Sequence, residues 1–174
     1  MSSPVVLRLA AVSDAPLLAE HRVAMFREMG AVQPHLEASL REASVAYFVA
    51  AIPTGEYVGW IALAPDSLTP VAGAGVQFRS LLPRPALSGD RLLLGKEAQV
   101  LNVYTDVSWR RRGVARYLVD TIIAWAGEAG VVRLVLSASA AGRPMYEQMG
   151  FVATREMIYT GALADAGDWV GATE

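Results

Sequence analysis

The chain has no cysteine and only two histidines, His21 and His35, and these absences exclude a good deal of chemistry. Without cysteine there can be no disulfide, thiolate zinc site or cysteine nucleophile, and two histidines far apart in sequence make a poor metal site, so no metal is expected. Charge is also sparse: 18% of the 174 residues are charged and the net charge is −2. Nucleic-acid binders driven by bulk charge carry a strong basic excess, so no nucleic-acid partner is expected and any cationic function must be local. No window approaches about 18 uninterrupted apolar residues, and Met1-Ser2-Ser3-Pro4 does not open a basic region followed by a long apolar run. These features predict a soluble, cytoplasmic protein with no membrane partner.

What is present is an apolar globular domain, 53% hydrophobic, of a length that buries roughly 70% of its unfolded surface. A single domain spanning 1–174 is expected, with a core at about 5–159, a loop-rich stretch at 65–95 and a tail at 161–174 containing Trp169. Val5 to Leu9 reads as a short strand. Ser13 is placed to cap a helix with Pro16 in its first turn, running towards Gly30, and a second short helix follows Pro34. Tyr47 to Ile52 and Tyr57 to Ala64 read as antiparallel strands joined through Pro53-Thr54-Gly55-Glu56. Between Pro65 and Gly95, Gly75 to Phe78 could extend the sheet, and Leu81 to Leu94 reads as a long surface loop. Val100 to Thr105, the helix bearing Val114, Tyr117, Leu118, Ile122 and Trp125, and the nearly continuous apolar run Val131 to Leu136 form a β-α-β unit. A short helix ending at Gly150 and a strand from Phe151 to about Tyr159 complete the pattern.

The strand-to-helix turn of that unit, Trp109-Arg110-Arg111-Arg112-Gly113-Val114-Ala115, is electrostatically odd. A helix N-terminus carries about half a positive charge and unpaired N–H groups, so arginines there cost about 0.3–1 kcal/mol each. No Ser, Thr, Asp or Asn stands at 109–113 to cap it. An anion would accept the free amides and the guanidinium forks, and Gly113 would let backbone approach it closely. Taken alone, the arginines are equally compatible with a solvated surface turn.

Two motifs in order resolve that choice. Arg110-x-x-Gly113-x-Ala115, and about thirty residues on Arg143-Pro144-Met145-Tyr146-Glu147-Gln148-Met149-Gly150-Phe151, together resemble the GNAT family of acetyl-CoA-dependent N-acetyltransferases; Leu7-Arg8-Leu9-Ala10 and Asp14 resemble its usual opening. The resemblance implies an α/β (α+β) fold with a mixed central sheet, antiparallel N-terminal strands, a splayed parallel pair at the coenzyme site, and flanking helices. It implies that Arg110, Arg111, Arg112, Gly113, Val114 and Ala115 form the loop whose amides meet the pyrophosphate of acetyl-CoA. The strand before the loop, Val103, Tyr104 and Thr105, would pair through the backbone of Val103 and Thr105 with the pantetheine arm, as an added strand does. Val107 stands where many relatives have Pro, and Ser139 where many have Asn, in contact with the pantetheine.

By the same resemblance Tyr146 is the catalytic acid. Acetyl transfer to an amine expels a thiolate whose conjugate acid has a pKa of roughly 8.5, and a phenol with a pKa near 10 can protonate it. Without the resemblance, Tyr146 reads equally as a core aromatic beside Met149 and Phe151. The alkylammonium acceptor, with a pKa near 10.4, must first lose a proton. Glu97 is the first candidate for that base by position and Asp106 the second, and both also read as plain surface charges. His21, Met25 and Phe26, on one helix, are candidates for the acceptor pocket, with Tyr104 beside them; each also reads as ordinary core. The expected reaction is acetyl transfer to a primary amine of a small molecule or peptide by direct attack. The alternative is a non-catalytic acyl-CoA-binding module on the same fold. Homodimers are common in the family, and the apolar composition permits one.

Overall fold

The computed structural model describes residues 5–154 and 156–158. Five strands, β1 (Val6–Leu9), β2 (Tyr57–Leu63), β3 (Pro70–Pro85), β4 (Leu92–Thr105) and β5 (Val131–Leu136), form one sheet in sequence order. β1 to β4 are antiparallel neighbours and β5 joins β4 in parallel. Helices α1 (Ala15–Glu28) and α2 (Glu37–Thr54) cover one face; α3 (Val114–Glu128) crosses the other, and α4 (Arg143–Gln148) follows β5. Among the described residues no helix is long and apolar enough to cross a membrane.

The alternation of β2 sorts its side chains between the two cores. Tyr57, Ile61 and Leu63 pack with Ala15 and Leu18 of α1 and Phe48 and Ala51 of α2. Trp60 and Ala62 face Val114, Leu118 and Ile122 of α3, and Trp60 meets Trp125 edge-on at 5.0 Å. Those α3 positions are spaced by four residues, which places them on one stripe. Each fully buried aliphatic contributes about 1.5–3 kcal/mol.

Four expectations are corrected. Tyr47 to Ile52 is not a strand but the C-terminal half of α2: Ser44, Phe48 and Ala51 are buried while Val49 is 46% exposed, a helical period. Pro53 lies in the last turn, and Gly55, at φ 73°, terminates the helix in the left-handed conformation rather than turning a hairpin. The stretch 65–95 is mostly strand, because β3 and β4 form a long hairpin whose pairing reaches Pro85 and Leu92. Its glycines make room for side chains: the ring of Tyr57 crosses Gly75, where a Cβ would fall 2.1 Å from the phenolic oxygen, and His21 lies over Gly73. Ser13 does not cap α1; the helix starts after Asp14, whose carboxylate accepts from the Ala11 N–H at 2.8 Å and binds Arg8. Finally, 151–154 and 156–158 are not in a strand. Arg155 and Tyr159, in the same expected strand, and the 161–174 tail with Trp169 lie outside the described residues.

Candidate active site

β4 and β5 form a fork. Their pairing runs from Lys96 beside Val131 to Val100 beside Leu136 and stops there, whereas β4 continues to Thr105. On its other side β4 stays paired to β3 as far as Ala72–Thr105. Beyond Val100 the β5-facing edge of β4 therefore lacks a strand partner among the described residues, and Val103, Tyr104 and Thr105 lie on this stretch. Asn102, at φ 57°, bulges the strand at the opening.

The arm of the fork made by β4 leads into the basic loop. After a 3-10 turn at Val107–Trp109, Arg111 adopts φ 62° and Gly113 φ 77°. Left-handed residues interleaved with ordinary ones turn successive amides towards one concavity, a nest suited to anions. Among the described residues, the N–H groups of Arg111, Arg112 and Gly113 have no backbone partner, and those of Val114, Ala115 and Arg116 open the helix. No side chain caps α3, and the space a Cβ would fill at Gly113 is open. The loop thus presents free donors without obstruction, as a pyrophosphate requires.

The three arginines divide between two jobs. Arg110, expected in the cradle, turns away from it: Nη2 lies 2.7 Å from both Glu28 oxygens, Nε donates to the Thr105 carbonyl at 2.9 Å, and its own amide donates to Val107. Its guanidinium ties the loop to α1 and to the end of β4, and its amide is not free for a ligand. Arg111 is exposed with no side-chain partner among the described residues, and Arg112 stacks on Trp109 at 4.9 Å.

The other arm ends at Ser139 and α4. Ser139 Oγ accepts from the Gly142 N–H at 3.1 Å, so it supports the turn into α4. The Tyr146 ring covers Gly142, where a Cβ would lie 3.1 Å from Cε2, and meets Phe151 edge-on at 5.8 Å. Its hydroxyl has no hydrogen-bond partner among the described residues, and burial pushes its pKa above that of a free phenol, so the proton is retained at neutral pH.

The model of the acetyltransferase (GNAT) family matches residues 15–151. The chain belongs to the GNAT family. It is similar over 89% of its length, and over 97% of the other chain, to a GCN5-related N-acetyltransferase from Ralstonia eutropha JMP134, at 30% identity and a TM-score of 0.78. A predicted acetyltransferase from Clostridium acetobutylicum, solved with acetyl-CoA, is 25% identical with a TM-score of 0.73, covering 90% of this chain and 96% of that one. N-acetyltransferase family 8 member 3 of Mus musculus is 35% identical over 74 residues, 41% of this chain and 33% of the mouse protein. The match thus spans about a third of that curated relative.

In this GNAT domain the candidate bases occupy distinct settings. Glu97, 4% exposed, is not a surface charge: it bridges Arg79 of β3, at 2.6 Å, and Arg133 of β5, its neighbours in register. With each oxygen held by a guanidinium, it clamps three strands below the fork. Asp106 is half-buried at the end of β4, its amide donating to Val71. His21 is buried against Gly73 and the Tyr104 ring, with Nδ1 unpartnered. Burial lowers its pKa, against the opposing pull of Asp106 and Glu20. Met25 is half-buried, and Phe26 carries the Arg22 guanidinium over its ring at 4.8 Å.

Sequence reading overlooked a pocket of about 310 Å³ between α1, α2 and the sheet, lined by Arg22, Tyr47, Tyr57, Gln77 and Asn102 among others. One signal was available: Arg22 stands four residues from the buried Leu18, a charge at the margin of an apolar helical face.

Proposed function

We propose that the chain transfers acetyl from acetyl-CoA to a primary amine by direct attack. The observation that carries this reading is the cradle of free amides at Arg111 to Arg116, positioned at the end of the strand that the fork leaves open. Backbone groups of Val103 and the Thr105 N–H would pair with the pantetheine arm; the Thr105 carbonyl already accepts from Arg110. The thioester would then lie between the two arms, with β4 on one side and Tyr146 on the other.

The amine nitrogen attacks the thioester carbon, the C–S bond breaks, and the amine sheds a proton to solvent, which in turn reprotonates Tyr146 after it has acted. Tyr146 supplies the thiolate with a proton: its hydroxyl is unengaged and stays protonated at neutral pH. The absence of a cysteine agrees with a route that needs no acyl-enzyme. The GNAT relatives, one of them solved with acetyl-CoA, support the donor.

Gly113→Glu tests the cradle. A carboxylate there fills the open space and repels the pyrophosphate, so calorimetry should show acetyl-CoA binding lost and thiol release should stop, while the circular dichroism of the fold persists. Wild-type affinity in this variant would remove the cradle assignment.

A further inference from the structure

The pocket under α1 and α2 has an unbalanced set of polar groups. Arg22 is half-buried in its wall, and among the described residues no carboxylate lies within ion-pairing distance of it. Its guanidinium lies over the Phe26 ring at 4.8 Å. A guanidinium removed from water without a counter-ion is costly, and its planar fork fits a carboxylate in bidentate fashion. Around it are two phenols. Tyr57 Oη is buried with no partner, and Tyr47 Oη, also buried, faces Gln77 without a hydrogen bond of regular geometry. Burial raises both phenol pKa values, which keeps them available as donors.

Two further groups of the lining have the opposite character. Asn102 Nδ2 donates to the Leu18 carbonyl at 3.0 Å. A carbonyl only accepts, so the amide orientation follows from chemistry: Oδ1 is the remaining group, buried and unpartnered. Ser44 Oγ donates to the Leu40 carbonyl at 2.6 Å and so offers only lone pairs inward. Asn102 immediately precedes Val103, where the coenzyme arm is expected. The pocket thus combines a cation and hydroxyl donors with an acceptor, Asn102 Oδ1, on β4.

We propose, resting on the acetyltransferase reading above, that the acceptor is an amine bearing a carboxylate, of the free amino acid class: the carboxylate pairs with Arg22 and the tyrosine hydroxyls, and the amine donates to Asn102 Oδ1. A single guanidinium balances a monoanion and leaves a phosphate dianion uncompensated, which favours the carboxylate. The volume suits a molecule of amino-acid size.

The test is a thiol-release screen with acetyl-CoA, comparing the free amino acids with their carboxamides, their decarboxylated amines and phosphoethanolamine. A free amino acid should be the preferred acceptor, with kcat/KM at least tenfold above its carboxamide. In Arg22→Gln that preference should vanish through a higher KM, with acetyl-CoA affinity unchanged. Arg22→Lys, which keeps the charge but not the fork, should restore part of it and controls for folding. Tyr57→Phe should raise KM for the acid more than for the carboxamide. Equal turnover of acid and carboxamide, preference for an amine without a carboxylate, or an unchanged Arg22→Gln enzyme would overturn the proposal. If acetyl-CoA binds but no amine is acetylated, the transferase reading fails; calorimetry with the same amino acids then decides the pocket, carboxylate binding lost in Arg22→Gln supporting it and no binding overturning it.

Discussion

Nη2 of Arg110 sits 2.7 Å from both carboxylate oxygens of Glu28, joining the basic loop to the last turn of α1 across the end of the sheet. Both side chains are partly exposed, so the pair is worth about 0–1 kcal/mol of stability. Its larger effect is on loop position. Glu28→Ala and Arg110→Ala should each weaken acetyl-CoA binding about fivefold with little change in melting temperature. The double variant should be no worse than Arg110→Ala, since both remove one link; additive losses in calorimetry would show that the two act separately.

Glu97→Gln should lower stability without slowing chemistry. The substitution leaves the Arg79 and Arg133 guanidiniums without a buried counter-ion, but both reach solvent, at 48% and 27% side-chain exposure. The cost is therefore about 2 kcal/mol, below that of breaking a fully buried pair. Urea unfolding measures it. A tenfold fall in kcat at unchanged stability would instead restore Glu97 as the base.

Tyr146→Phe keeps the ring against Gly142 and Phe151 and removes only the hydroxyl. Stability and acetyl-CoA affinity should hold, while kcat falls by about a hundredfold, the lower range for a lost general acid. Steady-state kinetics with calorimetry in parallel would check it, and an unchanged kcat would exclude Tyr146 from proton transfer.

His21 should make the fold acid-sensitive. Burial holds its pKa below the ordinary value, so as pH falls through about 6.5 the unfolded chain takes up a proton that the folded one refuses. The unfolded state then binds more protons, and stability, complete above about 6.5, declines as pH falls below it. Urea midpoints at pH 7.5, 6.5 and 5.5 should decline more steeply for wild type than for His21→Asn. Parallel declines would assign the acid sensitivity to other groups.

The part of the fold legible in sequence was the β-α-β unit: the end of β4 is rich in β-branched and aromatic residues, the apolar stripe of α3 matches its burial at Val114, Leu118 and Ile122, and β5 is a short run broken only by Arg133. The errors fell where composition and packing conflict. Val45 to Ile52 has no polar residue except the hydroxyl of Tyr47, so it looks like strand, yet neighbouring apolar residues end on opposite sides of a helix, Phe48 inward and Val49 outward. Small residues at Ala72 to Gly75 look like loop, but they line a strand crossed by Tyr57 and His21. At the site, the turn with its unpaired amides was readable because the motif is local. Arg110's turn towards Glu28, the clamp at Glu97 and the pocket at Arg22 all join residues distant in the chain, and pairing of that kind leaves no spacing to read.

The fork has a consequence for the apo protein. A strand that has lost its neighbour on one side is a template for any other extended chain, and β4 offers such a stretch from Leu101 to Thr105. Whatever hydrogen-bonds along that stretch closes the sheet and favours the folded state by mass action, about 2.7 kcal/mol at a concentration a hundred times its Kd. If acetyl-CoA pairs there as proposed, it should also stabilise the sheet, and self-association measured by light scattering should be greater without it than with it.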